Sequence, residues 1–169
     1  MSNSKTFLLA EIALFTALAL ILSLISINYA QTFYLELAVI PLVFLSIRRG
    51  FFAGLTAGLI YGILLIVLGQ ATILTPVQAI LEYIIAPMSL SIAGFSRNKT
   101  VLAAFSAIFL KYFWHFIAGI IFWGKYAWTG WSAWTYSLVT NGISALVTSI
   151  VCAILLVILF KNLPKKMLK

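Results

Sequence analysis

The sequence contains no aspartate and little charge of any kind. Only 8% of its 169 residues are charged and 64% are hydrophobic, whereas roughly a quarter of the residues in an ordinary soluble domain are charged. This composition excludes a water-soluble globular protein. Six membrane spans of about 20 residues would use about 120 positions and leave about 50 for connections and tails. We therefore expect one membrane-embedded domain over residues 1–169, with no extramembrane domain.

Residues that carry common chemistry are equally scarce. The single cysteine, Cys152, lies within an apolar run, and the single histidine is His115, which excludes an intramolecular disulfide and a Cys/His metal cluster. With one histidine and no aspartate, an intramembrane hydrolase of the Ser/His or paired-Asp type lacks its parts. The sequence also contains no GxxxxGKS/T phosphate loop, so the chain cannot use ATP alone. We therefore expect no catalytic residue, no metal and no cofactor.

What the sequence has in abundance is long apolar runs, and six of them predict transmembrane helices. They cover residues 6–27, 33–47, 50–69, 76–95, 101–123 and 133–161. As a helix the second run would be only about 22 Å long, and it contains Pro41, so it must tilt, thin the membrane or stop short of one surface. Pro76 suits the first turn of the fourth helix, Pro87 predicts a kink within it, and Pro164 closes the sixth. The predicted fold is an all-α polytopic membrane protein with six transmembrane helices in one bundle.

The net charge of +8 would suit nucleic acid, but charges at the ends of apolar runs are typical of a protein in a lipid bilayer. Nine of the eleven basic residues lie in the two tails and in alternate connections, namely Lys5, Arg48, Arg49, Arg97, Lys99, Lys161, Lys165, Lys166 and Lys169. The other connections, 28–32, 70–75 and 124–132, hold only Lys125. By the positive-inside rule both termini are expected in the cytoplasm. Glu11, near the cytoplasmic end of the first helix, is expected to reach water or to pair with Lys5.

Small residues form two stripes that predict close contacts between helices. Gly54, Gly58 and Gly62 recur every four positions on the third helix, and Ala13 and Ala17 have the same spacing on the first. A neighbouring backbone can approach such a face closely. The spacing is equally consistent with packing inside one bundle and with docking to a second membrane protein.

Four ionisable residues fall inside the predicted spans, where an unpaired charge costs several kcal/mol. They are Glu36, Glu82, Lys111 and His115. Lys111 and His115 lie four residues apart on one face of the fifth helix, and Gly119 continues that face. These residues predict a functional cavity. The structural alternative is an ion pair between Glu82 and Lys111, with His115 as a hydrogen-bonding core residue.

All five tryptophans lie in one stretch of the chain. They are Trp114, Trp123, Trp128, Trp131 and Trp134, and Tyr126 and Tyr136 lie among them. An interfacial aromatic belt best explains Trp128 and Trp131, but it does not require all five on one stretch. Aromatic faces attract cations and stack on planar rings. Carboxylates near tryptophans therefore predict a flat, positively charged ligand.

The sixth predicted helix has one polar face. Ser137, Asn141, Ser144 and Thr148 follow helical spacing and could line the same cavity. For Ser144 and Thr148, however, interhelical hydrogen bonding is the better explanation.

Five parts of the sequence together resemble one family over essentially the whole chain. They are Leu35-Glu36 before Pro41, the run from Leu45 to Gly50, the run from Gln78 to Tyr83, the run from Leu110 to Trp123, and the run from Tyr136 to Ser144. The segment from Lys111 to Trp123 is long and unusual enough to be highly specific. These parts resemble the substrate-binding S components of energy-coupling factor vitamin transporters, and specifically the thiamine-binding member.

The resemblance implies a thiamine site that is open to the outside. Its residues would be Glu82, His115, Trp123, Tyr136 and Asn141, with Glu36, Tyr83, Lys111, Gly119 and Tyr61 close by. Tyr61 stands where the family has a tryptophan and Thr72 where a relative has a tyrosine, and the first outer loop lacks a tryptophan. The implied partners are a transmembrane coupling subunit, which would dock on Ala13 and Ala17, and two ATPases. The implied location is the plasma membrane of a prokaryote.

Two alternatives from other classes remain at this point. One is a stand-alone carrier for a small aromatic cation, which would need its own driving ion. The other is a membrane enzyme that acts on a thiamine-like compound, for which Glu82 and His115 are the only candidates for an acid/base pair.

Because the basic residues sort to one side of the predicted bundle, we expect Lys125 to be extracellular. A cysteine introduced at position 125 should react with a membrane-impermeant thiol reagent in intact cells. Protection at position 125, with labelling at position 98 instead, would invert the predicted topology.

Overall fold

The computed structural model describes residues 2–25, 27–29 and 32–164. Its elements in chain order are α1 (Ser2–Ser23), β1 (Ile27–Tyr29), β2 (Phe33–Leu35), α2 (Val39–Arg49), α3 (Phe51–Val67), α4 (Pro76–Phe95), α5 (Thr100–Phe122) and α6 (Ala133–Asn162). Within these residues, α1, α4, α5 and α6 are long and apolar enough to cross a membrane, and α3 is a shorter apolar helix of 17 residues. The predicted six-helix membrane fold is therefore confirmed. The tail residues Lys165, Lys166 and Lys169, and Ala30 and Gln31 of the first connection, lie outside the described residues.

The second predicted span, residues 33–47, is not one helix. Only Val39–Arg49 are helical, whereas Phe33–Leu35 form a strand that pairs antiparallel with β1, with Ile27 opposite Leu35. The prediction of a continuous apolar helix was therefore wrong at its start. The two strands are also the exception to the all-α prediction.

The backbone of β2 and of the residue that follows it finds its remaining partners on α6, which explains why a strand can enter the bundle here. The Tyr34 N–H donates to Ser144 Oγ at 3.0 Å, and Thr148 Oγ1 donates to the Tyr34 carbonyl at 3.3 Å. The Glu36 N–H also donates to Thr148 Oγ1 at 3.4 Å. Backbone N–H and C=O groups inside a membrane protein need hydrogen-bond partners. The hydroxyls of Ser144 and Thr148 supply these partners and so allow a strand at this position. Hydrogen bonding between helices was the role expected for Ser144 and Thr148. Among the described residues, only Thr148 makes such a contact, with its Oγ1 3.4 Å from the Tyr112 hydroxyl.

The core of the bundle surrounds α2. This helix has 11 residues, or about 16 Å at 1.5 Å per residue, so it stops short of spanning the membrane. Its Leu42 and Leu45 are almost completely buried, as are Leu90 of α4, Ile108 of α5 and Leu156 of α6. Because α2 is enclosed by other helices, its short length does not expose polar helix ends to lipid.

Helix α4 is irregular in a way that the prolines account for. Pro76 occupies the first turn after the capping residue Thr75, as predicted. A π-helical segment, Ile80–Ile85, precedes Pro87, and the last turns, Leu90–Phe95, are 3₁₀-helical. Pro87 has no N–H and cannot complete the α-helical ladder, so the predicted disturbance takes the form of a wider turn before it.

The glycine stripe of α3 packs against α4. Of the two alternatives for this stripe, packing inside the bundle is therefore correct, and docking to a second membrane protein is not. An added Cβ at Gly58 would overlap the carbonyl of Pro87, and one at Gly62 would overlap the carbonyl of Tyr83. Gly54 is equally close to the side chain of the α2 residue Ser46. The backbones of α3 and α4 therefore touch where side chains are absent.

Glu11 does not pair with Lys5, and the expectation that it would do so or reach water was wrong. It is buried and accepts hydrogen bonds from Arg48, at 2.7 Å, and from Arg49. Glu11 lies six positions after Lys5 on the helix, which places their side chains about 120° apart around the axis, whereas the arginines come from the neighbouring helix. Arg49 also lies over the ring of Phe7, 5.6 Å from its centroid. The first half of α1 is therefore close to the end of α2.

Two of the arginine-containing connections meet at this end of the bundle. Arg97 donates to the carbonyl of Ile47 at 2.9 Å and to that of Arg48 at 2.5 Å, and Phe160 of α6 stacks on Phe44 at a centroid distance of 4.9 Å. A guanidinium at a helix C-terminus satisfies carbonyls that lack helical partners. We call this the basic end; it comprises Arg48, Arg49, Arg97 and Lys99.

The contact between α3 and α4 predicts that Gly62→Ala destabilises the protein. Overpacking of this kind costs about 1 to 3 kcal/mol, and backbone cannot move aside as a flexible side chain can. The matched control is Gly142→Ala, because an added Cβ at this helical position has nothing within 4 Å. The midpoint of thermal unfolding in detergent should fall for Gly62→Ala and stay the same or rise for Gly142→Ala. Equal midpoints for the two variants would contradict the backbone contact.

Candidate functional site

The bundle contains a cavity of about 720 Å³ at the end opposite the basic end. Residues from all three connections at this end line it, including Thr32, Gln70, Thr72, Tyr126 and Trp128. The volume is within the range of about 300 to 1,000 Å³ that is usual for small-molecule sites. We call this cavity the loop-end cavity.

One wall of the loop-end cavity is built around the carboxylate of Glu82, in the π-helical segment of α4. Glu82 is buried, and one oxygen accepts from Trp123 Nε1 at 2.8 Å while the other accepts from the side-chain amide of Gln78. Gln78 is fully buried and also contacts the connection before α4, since it donates to the Thr72 carbonyl at 3.2 Å and accepts from the Leu74 N–H at 3.0 Å. Two donors therefore fix the carboxylate in one orientation.

The floor of the cavity contains an ion pair between Lys111 and Glu36. The ammonium of Lys111 lies 2.7 Å and 2.9 Å from the two oxygens of Glu36 and 3.0 Å from His115 Nε2. Because an ammonium can only donate, Nε2 must accept and the ring of His115 must be neutral. The structural alternative of a pair between Glu82 and Lys111 was therefore wrong in its choice of partner.

This pairing leaves an uneven charge distribution in the cavity. The charge of Lys111 is balanced by Glu36, and no basic side chain of the described residues forms an ion pair with Glu82. A buried carboxylate without a cationic partner is costly. The cavity can therefore gain free energy by accepting a cationic ligand beside Glu82.

Aromatic rings form the side of the cavity nearest to the loops. Trp123 lies 5.5 Å from Tyr126, and Trp128 lies 5.3 Å from Tyr136 in an edge-to-face arrangement. Trp128 lines the cavity and is also 38% exposed, so the interfacial belt expected for Trp128 and Trp131 stays a prediction. Trp131 packs edge-on against Trp128 at 5.0 Å. These faces suit a flat ligand.

Helix α6 contributes a polar strip opposite Gly119. Ser137 Oγ donates to the Phe116 carbonyl at 2.9 Å, across the helix contact, and the amide group of Asn141 donates to the carbonyl and hydroxyl of Ser137 at 3.0 Å and 3.1 Å. An added Cβ at Gly119 would overlap the Ser137 hydroxyl, so glycine is needed for this close approach. The donors of Asn141 are used inside the helix, and its oxygen remains for a ligand.

All ten predicted binding residues line this one cavity. They are Glu36, Tyr61, Glu82, Tyr83, Lys111, His115, Gly119, Trp123, Tyr136 and Asn141. Their role in binding stays a prediction. Tyr34, which together with Phe33 was considered as a substitute for the missing loop tryptophan, also lines the cavity. The sequence interpretation assigned no role to Tyr112, which lines the cavity as well, or to Gln78. A glutamine four residues before a glutamate in a helix is a signal for a side-chain hydrogen bond, and it could have identified Gln78.

A polar and aromatic cavity enclosed by apolar helices defines a membrane protein that binds a small organic molecule. The chain belongs to the thiamine transporter family, since residues 9–168 match the family described as Thiamine transporter protein (Thia_YuaJ). It is 34% identical to Thiamine transporter ThiT of Bacillus subtilis, over 98% of this chain and 96% of that protein. It is 36% identical to Thiamine transporter ThiT of Lacticaseibacillus paracasei, over 96% of this chain and 91% of that protein.

The fold is similar to that of a solved ThiT structure from Listeria monocytogenes. The TM-score is 0.91 and the sequence identity is 36%, with coverage of 98% of this chain and 99% of that one. The relatives are transporters and not enzymes, so the membrane-enzyme alternative is set aside.

Proposed function

We propose that the chain is the high-affinity thiamine-binding subunit of an energy-coupling factor transporter. It captures thiamine from outside and delivers it inward when docked on a transmembrane coupling subunit with two ATPases. The observation that carries this proposal is the buried carboxylate of Glu82, which lines the loop-end cavity without an ion-pair partner among the described side chains. Membership of the thiamine transporter family supports the choice of substrate. The protein is a multi-pass protein of the bacterial plasma membrane, as its apolar helices and bacterial relatives indicate.

The chemistry of thiamine fits the charge distribution of the cavity. Thiamine joins a flat aminopyrimidine to a thiazolium ring that carries a permanent positive charge. Glu82 would offset this charge or accept from the 4-amino group, while the Lys111–Glu36 pair adds no net charge of its own. A neutral His115 presents no second cation to the thiazolium.

Trp123 is placed to act together with Glu82. Its indole N–H is bonded to the Glu82 carboxylate at 2.8 Å, so the ring and the negative charge are held side by side. A cationic ring stacked on Trp123 would lie next to the carboxylate and gain from both interactions. Asn141 and Tyr136, which line the same cavity, would supply directional hydrogen bonds.

The distribution of basic residues supports an outward-facing cavity. The loop-end cavity lies opposite the basic end and includes residues from the connections that hold only Lys125. By the positive-inside rule this end faces the outside. The ligand would therefore enter from the extracellular side, between the loops.

The small-residue stripe of α1 supports docking of a partner. Ala13 and Ala17 are exposed, whereas Ile12, Thr16 and Ala19 on the same helix are buried. Unlike the glycine stripe of α3, this stripe is not covered by another helix of the described chain. A partner helix could approach the backbone of α1 closely along it.

Glu82→Gln should weaken thiamine binding by about 30-fold to 1,000-fold, as expected for the loss of one charge of a desolvated pair. Both neighbours of this carboxylate, Trp123 Nε1 and Gln78 Nε2, are donors, so the new amide group would also face a donor. Titration of tryptophan fluorescence with thiamine measures the total effect. The same titration with a neutral analogue, in which an uncharged ring replaces the thiazolium, separates the two causes.

A misplaced amide group penalises both ligands, whereas the lost charge penalises thiamine alone. We expect the neutral analogue to bind wild type more weakly than thiamine does and to lose little more in Glu82→Gln. Pyrithiamine, which keeps both the cation and the aminopyrimidine, should still bind to wild type. Equal losses for thiamine and the neutral analogue would contradict the role of the carboxylate as a counter-charge to the thiazolium.

Replacing Ala13 or Ala17 by Trp should abolish thiamine uptake in cells that hold the coupling subunit and ATPases. Thiamine binding by the isolated subunit should be nearly unchanged, because the loop-end cavity does not include these residues. Ile154→Trp is the matched control, since Ile154 is exposed on α6 and outside the stripe. Loss of binding in proportion to uptake would contradict the docking role. Uptake by the purified chain in liposomes without ATPases would instead support the stand-alone carrier.

A further inference from the structure

A second cavity, of about 760 Å³, lies at the basic end. We propose that this cavity binds the phosphate of an anionic phospholipid headgroup. Its lining includes Arg48, Arg97 and Lys99 together with Leu102 and Phe160. The proposal does not depend on which ligand occupies the loop-end cavity.

The cavity has an excess of positive charge. Three basic residues line it, and no acidic side chain of the described residues does. Glu11, which lies close by, pairs with Arg48. No carboxylate of the described part of the chain pairs with Arg97 or Lys99, so these two residues keep their positive charges at the cavity. An anion would lower the electrostatic cost of this arrangement.

Several hydrogen-bond donors at the cavity have no partner within the described chain. Arg48 uses its Nη2 for Glu11, but its Nε is buried and makes no hydrogen bond there. Arg97 uses Nε and Nη2 for two carbonyls and keeps further N–H groups. A buried guanidinium N–H without an acceptor costs about 1 to 3 kcal/mol, and a phosphate oxygen would remove this cost with a charge-assisted bond.

The start of α5 adds further donors. This helix begins at Thr100, directly after Lys99, and has no side-chain cap. The first N–H groups of a helix lack intrahelical acceptors and carry partial positive charge. Leu102, in the first turn, lines the cavity. Residues at the start of α5 and Arg48 therefore line the same cavity, and phosphate groups bind at helix N-termini.

The apolar part of the cavity favours a lipid over free phosphate. Leu102 and Phe160 line the wall, and Phe95, which also lines it, is 73% exposed. A basic group beside apolar side chains, at the end of a transmembrane bundle, matches a headgroup phosphate followed by glycerol and acyl chains. Inorganic phosphate would use the charges and leave the apolar wall without a partner.

Native mass spectrometry of the full chain can test this proposal by counting bound phosphatidylglycerol and phosphatidylcholine. We expect wild type to retain phosphatidylglycerol in preference to phosphatidylcholine. Arg97→Gln combined with Lys99→Gln should weaken phosphatidylglycerol binding by about 10-fold to 30-fold. The matched control is Lys125→Gln combined with Lys161→Gln, which removes two positive charges outside the cavity and should leave binding within about twofold of wild type.

Arg97 also caps α2, so Arg97→Gln could lower lipid binding by destabilising the fold. A second variant that leaves Arg97 in place is therefore needed. Leu102→Trp would fill the cavity without changing charge, and it should reduce phosphatidylglycerol binding while the thermal midpoint stays close to that of wild type. Equal effects of the two double variants would show general charge attraction and overturn the site. Two results together would identify a soluble phosphate site and overturn the lipid assignment. Without added phosphate, wild type would retain phosphatidylglycerol and phosphatidylcholine equally, and millimolar inorganic phosphate would then displace phosphatidylglycerol.

Discussion

A lysine can remain in the interior of a membrane bundle only if its charge is balanced there. The charge distribution of the loop-end cavity depends on which carboxylate balances Lys111. Lys111 is paired with Glu36 and bonded to His115, so its charge is neutralised inside the cavity floor. Glu36 can reach Lys111 because β2 brings the chain into the bundle before α2 begins. Without this pair, Lys111 would attract Glu82, and the cavity would lose its only buried carboxylate without a counter-charge in the described chain.

The second requirement is a carboxylate whose orientation is fixed by the protein itself. Glu82 lies in a π-helical segment, where the wider turn changes the direction of the side chains relative to a regular helix. Gln78, one turn earlier, and Trp123, at the end of α5, both donate to it. Because Gln78 is also bonded to the Thr72 carbonyl and the Leu74 N–H, the Glu82 carboxylate is connected through Gln78 to the loop that precedes α4.

The membrane fold and the charged residues of the cavity could be predicted from the sequence, because apolar runs and ionisable residues within them are local signals. Other cavity residues, such as Tyr61 and Tyr83, were implied only by the family resemblance. The spacing of Lys111 and His115, four residues apart, correctly placed them on one helix face. Pairing across the bundle was harder, since Lys111 could reach either Glu36 or Glu82 and the sequence carries no distance between them. The strand at Phe33–Leu35 was missed because the Tyr34 backbone finds its partners in side chains of α6, more than 100 positions later in the chain.

The buried core around α2 separates the two cavities. Along α2, α4 and α5 the side chains of Leu42, Leu45, Leu90 and Ile108 lie between the residues that line one cavity and those that line the other, and all four are almost completely buried. The layer is apolar and buried, and such an interior is unfavourable for charged and polar groups. The loop-end cavity is therefore separated from the basic end by buried side chains, and a small molecule could pass from one end to the other only if the packing of these helices changed.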